Sequence, residues 1–191
     1  QGVWLHVDAA YAGPLAICPE LRHHFEGWER ADSIVLNPHK WLFTPIDLSV
    51  FYIRHPETLR KALSLVPEYL RSAEHPRAVN LMDYGVPLGR RFRSLKLWFV
   101  LRSFGRTKLQ ENLRRHIRMA QELAERIAAH PRFEVTAPTP FSTICFRLRA
   151  DEATNARLLA NLNGSGVLFL SQTRLGDLYT LRLAIGNVFT A

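Results

Sequence analysis

Cysteine is scarce in this chain. There are two, Cys18 and Cys145, far apart and in no ligand spacing. That excludes a disulfide framework and a four-ligand zinc site made by the cysteines alone. It also makes a reducing cytoplasm the expected compartment. No apolar run reaches the ~18 residues a membrane-spanning helix needs, so no membrane partner is expected. Internal repeats and low-complexity tracts are absent as well. Acidic residues are outnumbered, 17 Asp+Glu against 25 Lys+Arg, for a net charge of +8. Such an excess favours anionic partners only weakly, because net charge governs solubility and steering rather than fold.

What remains is ordinary globular material, 47% hydrophobic and 22% charged, which can bury a core. With 191 residues there is room for one good-sized domain or two small ones. The chain starts without Met on strand-like sequence and ends at Ile185-Gly186-Asn187-Val188-Phe189-Thr190-Ala191 with no terminal helix. A piece of a longer protein is therefore expected.

The first half reads as alternating strands and helices. Residues 3–7 and 33–36 are short apolar strands. The stretch between them, broken by Pro14 and Pro19, holds a helical turn or two with Leu21 and Phe25 on one face. Strand, helix, strand predicts a parallel pair with a right-handed crossover. Residues 48–54 predict a third strand, and residues 55–63 a short helix. Residues 64–89, with Pro67, Pro76 and Pro87, have no regular pattern; a loop of that length is usually functional or disordered.

An apolar helix over 94–104 is stopped by Gly105. An amphipathic helix over 107–130 follows, with Leu109, Leu113, Ile117, Ala120, Ala124 and Ile127 on one stripe. Beyond it the pattern becomes α+β. Strands are predicted at 133–135, 142–149, 167–170 and 179–185, with a helix capped by Asp151 and closed by Gly164. The expected border lies near Gly105, dividing the chain into residues 1–105 and 106–191.

Two stretches carry chemistry. Asp8 and Lys40 each lie just past the carboxyl end of a predicted parallel strand, so both fall at the sheet edge where open α/β sheets bind ligands. A lysine held near a carbonyl can form an imine. A carboxylate can keep a pyridine nitrogen protonated by opposite-charge stabilisation. Ala9 and Ala10 are small enough to let a flat ring lie close. Pro38 fixes the loop, Asn37 can hydrogen-bond an anion, and His39 could stack or shuttle a proton. Together these features suit an aldehyde cofactor carried on Lys40 as a Schiff base.

His6-Val7-Asp8-Ala9-Ala10-Tyr11-Ala12-Gly13 and Asn37-Pro38-His39-Lys40-Trp41 resemble the pyridoxal-phosphate-dependent group II amino-acid decarboxylases, and most closely the aromatic-L-amino-acid decarboxylase branch. Ile17-Cys18-Pro19-Glu20, Ala31-Asp32-Ser33 and Pro87-Leu88-Gly89-Arg90-Arg91-Phe92-Arg93-Ser94 extend the likeness, which is strongest over 4–104. The resemblance implies an α/β fold: part of a fold-type I large domain, followed by a small α+β domain. It implies pyridoxal 5'-phosphate on Lys40, Asp8 at the pyridine nitrogen, Ala10 under the ring, Asn37 at the phosphate, and His39 beside the lysine. Gly89 would approach the phosphate from the neighbouring subunit of a homodimer. Tyr69 falls in the family's mobile catalytic loop, where a tyrosine is linked to protonation of the substrate carbon. Relatives with Phe there tend toward oxidative aldehyde formation.

The implied reaction is decarboxylation of an L-amino acid, aromatic by the presence of Trp41 and the 89–94 run. An acidic substrate of the glutamate or sulfinate type is the alternative. The family's cofactor-stacking histidine and phosphate-gripping loop have no match in these residues, so the chain alone is expected to bind cofactor weakly and not to catalyse usefully. A catalytically dead scaffold is a further alternative. Arg90-Arg91-Phe92-Arg93 with Lys96, and Arg114-Arg115-His116-Ile117-Arg118, could suggest a nucleic-acid-binding module. Arg114, Arg115 and Arg118 fall on the polar side of an amphipathic helix and the first cluster falls within the family likeness, so no nucleic-acid partner is expected.

Overall fold

The computed structural model describes residues 2–64 and 79–190. The chain divides into two compact units, Gln1–Ser103 and Phe104–Ala191.

The first unit holds a three-stranded sheet in the order β1-β2-β3, with β1 at His6–Asp8, β2 at Ser33–Leu36 and β3 at Val50–Ile53. β1 and β2 are parallel, His6 opposite Ser33 and Asp8 opposite Val35. β3 returns antiparallel to β2. The connection from β1 to β2 contains three 3₁₀ segments, Gly13–Ile17, Pro19–Phe25 and Trp28–Arg30, rather than an α-helical turn. Pro14 and Pro19 start the first two segments, and Gly27, at φ 92°, precedes the third. Leu15 and Cys18 from this connection are fully buried.

Between β2 and β3 lies a single helical turn, α1 (Pro38–Trp41). The strand expected over 48–54 begins only at Val50. The reason is local: the Leu48 backbone is bound by the His39 ring instead of by a ladder partner. Helix α2 spans Pro56–Leu63. A 3₁₀ turn at Leu81–Tyr84 is fastened to the end of α2, where the Ser64 hydroxyl donates to buried Asp83 at 3.1 Å.

Helix α3 runs Arg93–Ala129, but Gly105, at φ 67° and ψ 169°, is non-helical and divides it. Only glycine reaches that left-handed φ at low cost. Residues 93–104 belong almost wholly to the first unit and 106–129 to the second.

In the second unit, β4 (Phe133–Val135), β5 (Thr143–Leu148), β6 (Ser171–Leu175) and β7 (Leu178–Ala184) form an antiparallel sheet in the order β4-β5-β7-β6. Alternation along β5 buries Ile144, Phe146 and Leu148. Ile144 and Phe146 pack with Leu181, Tyr179 and Ala120 in the core. Helix α4 (Glu152–Gly164) is capped by Asp151, whose carboxylate accepts the Thr154 N–H at 2.8 Å. That bond holds the Asp151 carboxyl below its ordinary range.

Two expectations fail in this unit. Helix α4 runs through Gly164, and the left-handed residue that follows is Gly166, at φ 72°. Residues 167–170 form no strand, because the Asn163 side chain takes the backbone groups of Leu170 in both directions, at 2.7 and 3.0 Å. The strand is the more polar Ser171–Leu175 instead, paired with β7 across a turn at Gly176. Its composition lacks the apolar alternation that marks a strand in sequence.

No helix among the described residues is long and apolar enough to cross a membrane.

Candidate active site

The parallel pairing of β1 and β2 brings their carboxyl ends to one sheet edge, and backbone bonds continue the alignment past both strands. The Ala9 N–H donates to the Val35 carbonyl at 3.0 Å, and the Asn37 N–H to the Ala10 carbonyl at 3.1 Å. The segment after Asp8 and the segment leading to Lys40 are thus held side by side. Tyr11 and Trp41 close the arrangement, their rings stacked at 4.8 Å and 11°. Trp41 is fully buried.

Each sequence-derived residue except Tyr69 has a definite setting. Asp8 is exposed, and its Oδ1 accepts the Ala10 N–H at 3.0 Å. This is the turn-capping bond common for an aspartate at a strand end, and it leaves Oδ2 open. Ala10 is buried and presents only a methyl group. Lys40 is exposed, and its ammonium makes no hydrogen bond or ion pair among the described residues. The Asn37 side-chain oxygen accepts from the Ser49 hydroxyl, which fixes the amide's orientation.

His39 turns toward the loop behind α1. Its Nδ1 lies 3.0 Å from the Leu48 nitrogen and 2.5 Å from the Leu48 oxygen, so the ring is held by that backbone in either tautomer. This geometry commits Nδ1 to holding the loop. Gly89 is exposed, and a methyl group there would meet nothing within 4 Å. No contact among the described residues joins it to Asp8 or Lys40. Tyr69 lies outside the described residues.

Two features have a packing role that the sequence reading did not assign. Gly13 is a close-approach glycine: a Cβ there would come 1.8 Å from Leu36 Cδ2 and 3.1 Å from the Ala9 Cβ. Asp47 gathers the first basic cluster. Its Oδ2 accepts from Arg93 Nη2 at 2.9 Å and Nε at 3.1 Å, while Arg91 and Lys96 stand 3.8 and 3.9 Å from Oδ1. The Arg93 hydrogen bonds are the main reason its carboxyl is lowered to about 2. An aspartate in the loop Pro45-Ile46-Asp47-Leu48 gives no hint of its cationic partners. The second cluster is also partly engaged, with Arg115 Nη2 donating to the Val188 carbonyl at 2.9 Å.

An exposed amine, a carboxylate with one open oxygen and a small-residue floor share one sheet edge; such a set can hold a carbonyl compound and stabilise a protonated ring nitrogen. Residues 1–149 match the family model for the pyridoxal-dependent decarboxylase conserved domain. The chain belongs to the pyridoxal-dependent decarboxylase family.

Among curated proteins, this family member is 44% identical to a tryptophan decarboxylase of Camptotheca acuminata over 99% of the chain and 40% of the relative. It is also 44% identical to tyrosine decarboxylase 4 of Petroselinum crispum, over 98% of the chain and 40% of that protein. Among solved structures, Oryza sativa TDC with PLP and tryptamine superposes with a TM-score of 0.89 at 41% identity, covering 97% of this chain and 40% of that one. The fold is accordingly the α/β fold of the fold-type I decarboxylases. The chain spans about 40% of the length of the relatives it matches.

Proposed function

We propose that this chain is the C-terminal part of a pyridoxal-phosphate-dependent decarboxylase that converts an aromatic L-amino acid to its amine and carbon dioxide. The observation that carries this reading is the fastening of the Asp8 and Lys40 segments at one sheet edge by the Asn37–Ala10 backbone bond and the Tyr11–Trp41 stack. The match to tryptophan and tyrosine decarboxylases supports an aromatic substrate over an acidic one.

The residues present fit the cofactor chemically: a primary amine without a side-chain partner among the described residues, a carboxylate with an open oxygen, and buried Ala10 in place of any larger side chain. When bound, pyridoxal phosphate supplies the electron sink that lets the bond between Cα and the carboxylate break. Lys40 would hold the cofactor through its Nζ. Asp8 Oδ2 keeps the proton on the ring nitrogen. The Asn37 amide, oriented by Ser49, serves the phosphate, and Gly89 reaches a phosphate from a partner subunit. His39 holds the Lys40 turn through Leu48, and Tyr69 delivers the proton to the substrate carbon. Residues 1–105 act as part of the cofactor-binding large domain, and 106–191 as the small domain. A homodimer fits the exposed apolar side chains of Phe92, Trp98 and Phe99, and a cytoplasmic setting fits two cysteines, Cys18 and Cys145, that form no disulfide with each other.

The test is the absorbance of the full-length protein with pyridoxal phosphate, before and after borohydride. A visible band that borohydride traps on Lys40, lost in Lys40→Ala, is the expected result. A full-length protein without that band, or a Lys40→Ala variant that keeps it, overturns the reading.

A further inference from the structure

The charge knot at Asp47 lies in the loop that returns from the Lys40 turn. Arg93 clamps one carboxylate oxygen with two nitrogens, and Arg91 and Lys96 stand against the other. The next residue, Leu48, is 5% exposed and holds the His39 ring through its backbone. His39 is adjacent to Lys40 within α1. A continuous path therefore runs from Arg93 through Asp47, Leu48 and His39 to the turn that presents Lys40. Arg93 also follows Gly89 by four residues. The same ion pair thus ties the Gly89 segment to the Lys40 loop, which a long stretch of sequence separates.

The cationic side of the knot is in excess, three cations to one carboxylate, and borders a cavity of about 360 Å³ beside Ile46, Phe92 and Phe99. Arg93 and Lys96 are about one-third exposed or less, whereas Arg91 stands in solvent. The two-nitrogen geometry of Arg93 makes it the strong member; such forked bonds fix orientation as well as distance.

We infer that Asp47, clamped by Arg93, is a positioning residue that sets the Lys40 turn through the Leu48–His39 bond. The inference rests on Lys40 being the cofactor lysine. Removing the carboxylate frees the loop at residue 47, loosens the hold on the His39 ring and lets α1 drift relative to Asp8. The consequence falls on cofactor affinity and on the environment of the Lys40 amine, beyond any general loss of stability.

The experiment uses the full-length protein with Asp47→Asn, Arg93→Gln, the double variant and Arg91→Gln. Three quantities are read: the dissociation constant for pyridoxal phosphate, the pH midpoint of the visible band, and exchange of the Leu48 amide hydrogen in the cofactor-free protein. Asp47→Asn and Arg93→Gln should each weaken cofactor binding about tenfold, as expected for members of one charged network. Each should also shift the midpoint and speed Leu48 exchange. The double variant should be no worse than either single change, and Arg91→Gln should stay within about twofold, as a solvated ion pair does.

Unchanged affinity, midpoint and Leu48 exchange in a folded Asp47→Asn protein overturn the inference, whatever the melting temperature does. Additive effects of the two single changes overturn it too. If Asp47→Asn does not fold, Arg93→Lys, which keeps the charge but loses the fork, must show the affinity loss. A wild-type protein with no trappable band would instead sink the Lys40 assignment, while the Leu48 exchange measurement still tests the path from Asp47.

Discussion

Tyr11 and Trp41 stack face to face, 4.8 Å apart, and their contact joins the two stretches that carry the candidate chemistry. Tyr11 stands three residues past Asp8, and Trp41 directly follows Lys40. Trp41 is fully buried and anchors α1 from below, while Lys40 on the same turn faces out. One short helix thus pairs an apolar anchor with a presented amine.

Trp41→Ala should cost about 3–5 kcal/mol, the range for emptying a buried aromatic site. Tyr11→Ala should cost less. The pair should be coupled by about 0.5–1.5 kcal/mol, as aromatic contacts are. Denaturant unfolding of the full-length protein and its three variants gives the cycle; strict additivity would show that the stack contributes nothing beyond burial.

Gly13→Ala should destabilise by about 1–3 kcal/mol, because the added methyl group must displace Leu36. A compensating Leu36→Ala should recover part of the loss. Equal unfolding midpoints for wild type and Gly13→Ala would mean that Leu36 rotates away freely.

Acid should weaken the second unit through His116. The side chain is fully buried, and burial, aided by Arg115, lowers its pKa below 6.5 against a hydrogen bond with the Asn187 backbone. A depressed folded pKa means that the neutral form is favoured in the native state. The stability it contributes is present above pH 6.5 and is lost as pH falls toward the folded value. Replacing His116 by Gln should flatten the stability profile over that window.

Asp47 should act at a much lower pH. Its carboxyl is lowered from 3.8 to about 2, so its contribution is present above pH 3.8 and is lost as pH falls through about 2. Asp47→Asn should remove that limb from an acid-unfolding curve while leaving the His116 limb in place.

Product analysis tests Tyr69. Tyr69→Phe in the full-length protein should lower amine output and raise aldehyde with uptake of oxygen. An unchanged product ratio would remove Tyr69 from the proton-delivery step.

Local pattern carried much of this protein. The strand expected over 3–7 forms instead at His6–Asp8, so Asp8 closes it. The alternation of Ile144, Phe146 and Leu148, the Asp151 cap and the apolar strand ending before Asn37 are short-range features. They are set by side-chain period and capping chemistry within a few residues. The order strand, crossover, strand also sufficed to place Asp8 and the Lys40 turn at the same edge, because parallel strands share their carboxyl ends.

Side-chain bonds across longer distances decided the rest. The His39 ring is held by the Leu48 backbone, the Leu170 backbone is taken by Asn163, and Asp47 is held by Arg93. Such bonds depend on which segments the fold brings within about 3 Å, and hydrogen-bond strength falls steeply beyond that distance. Sequence spacing holds no record of those meetings, so the place of Lys40 at the edge shared with Asp8 was legible from its neighbours, whereas the bonds around its turn emerged only from the folded chain.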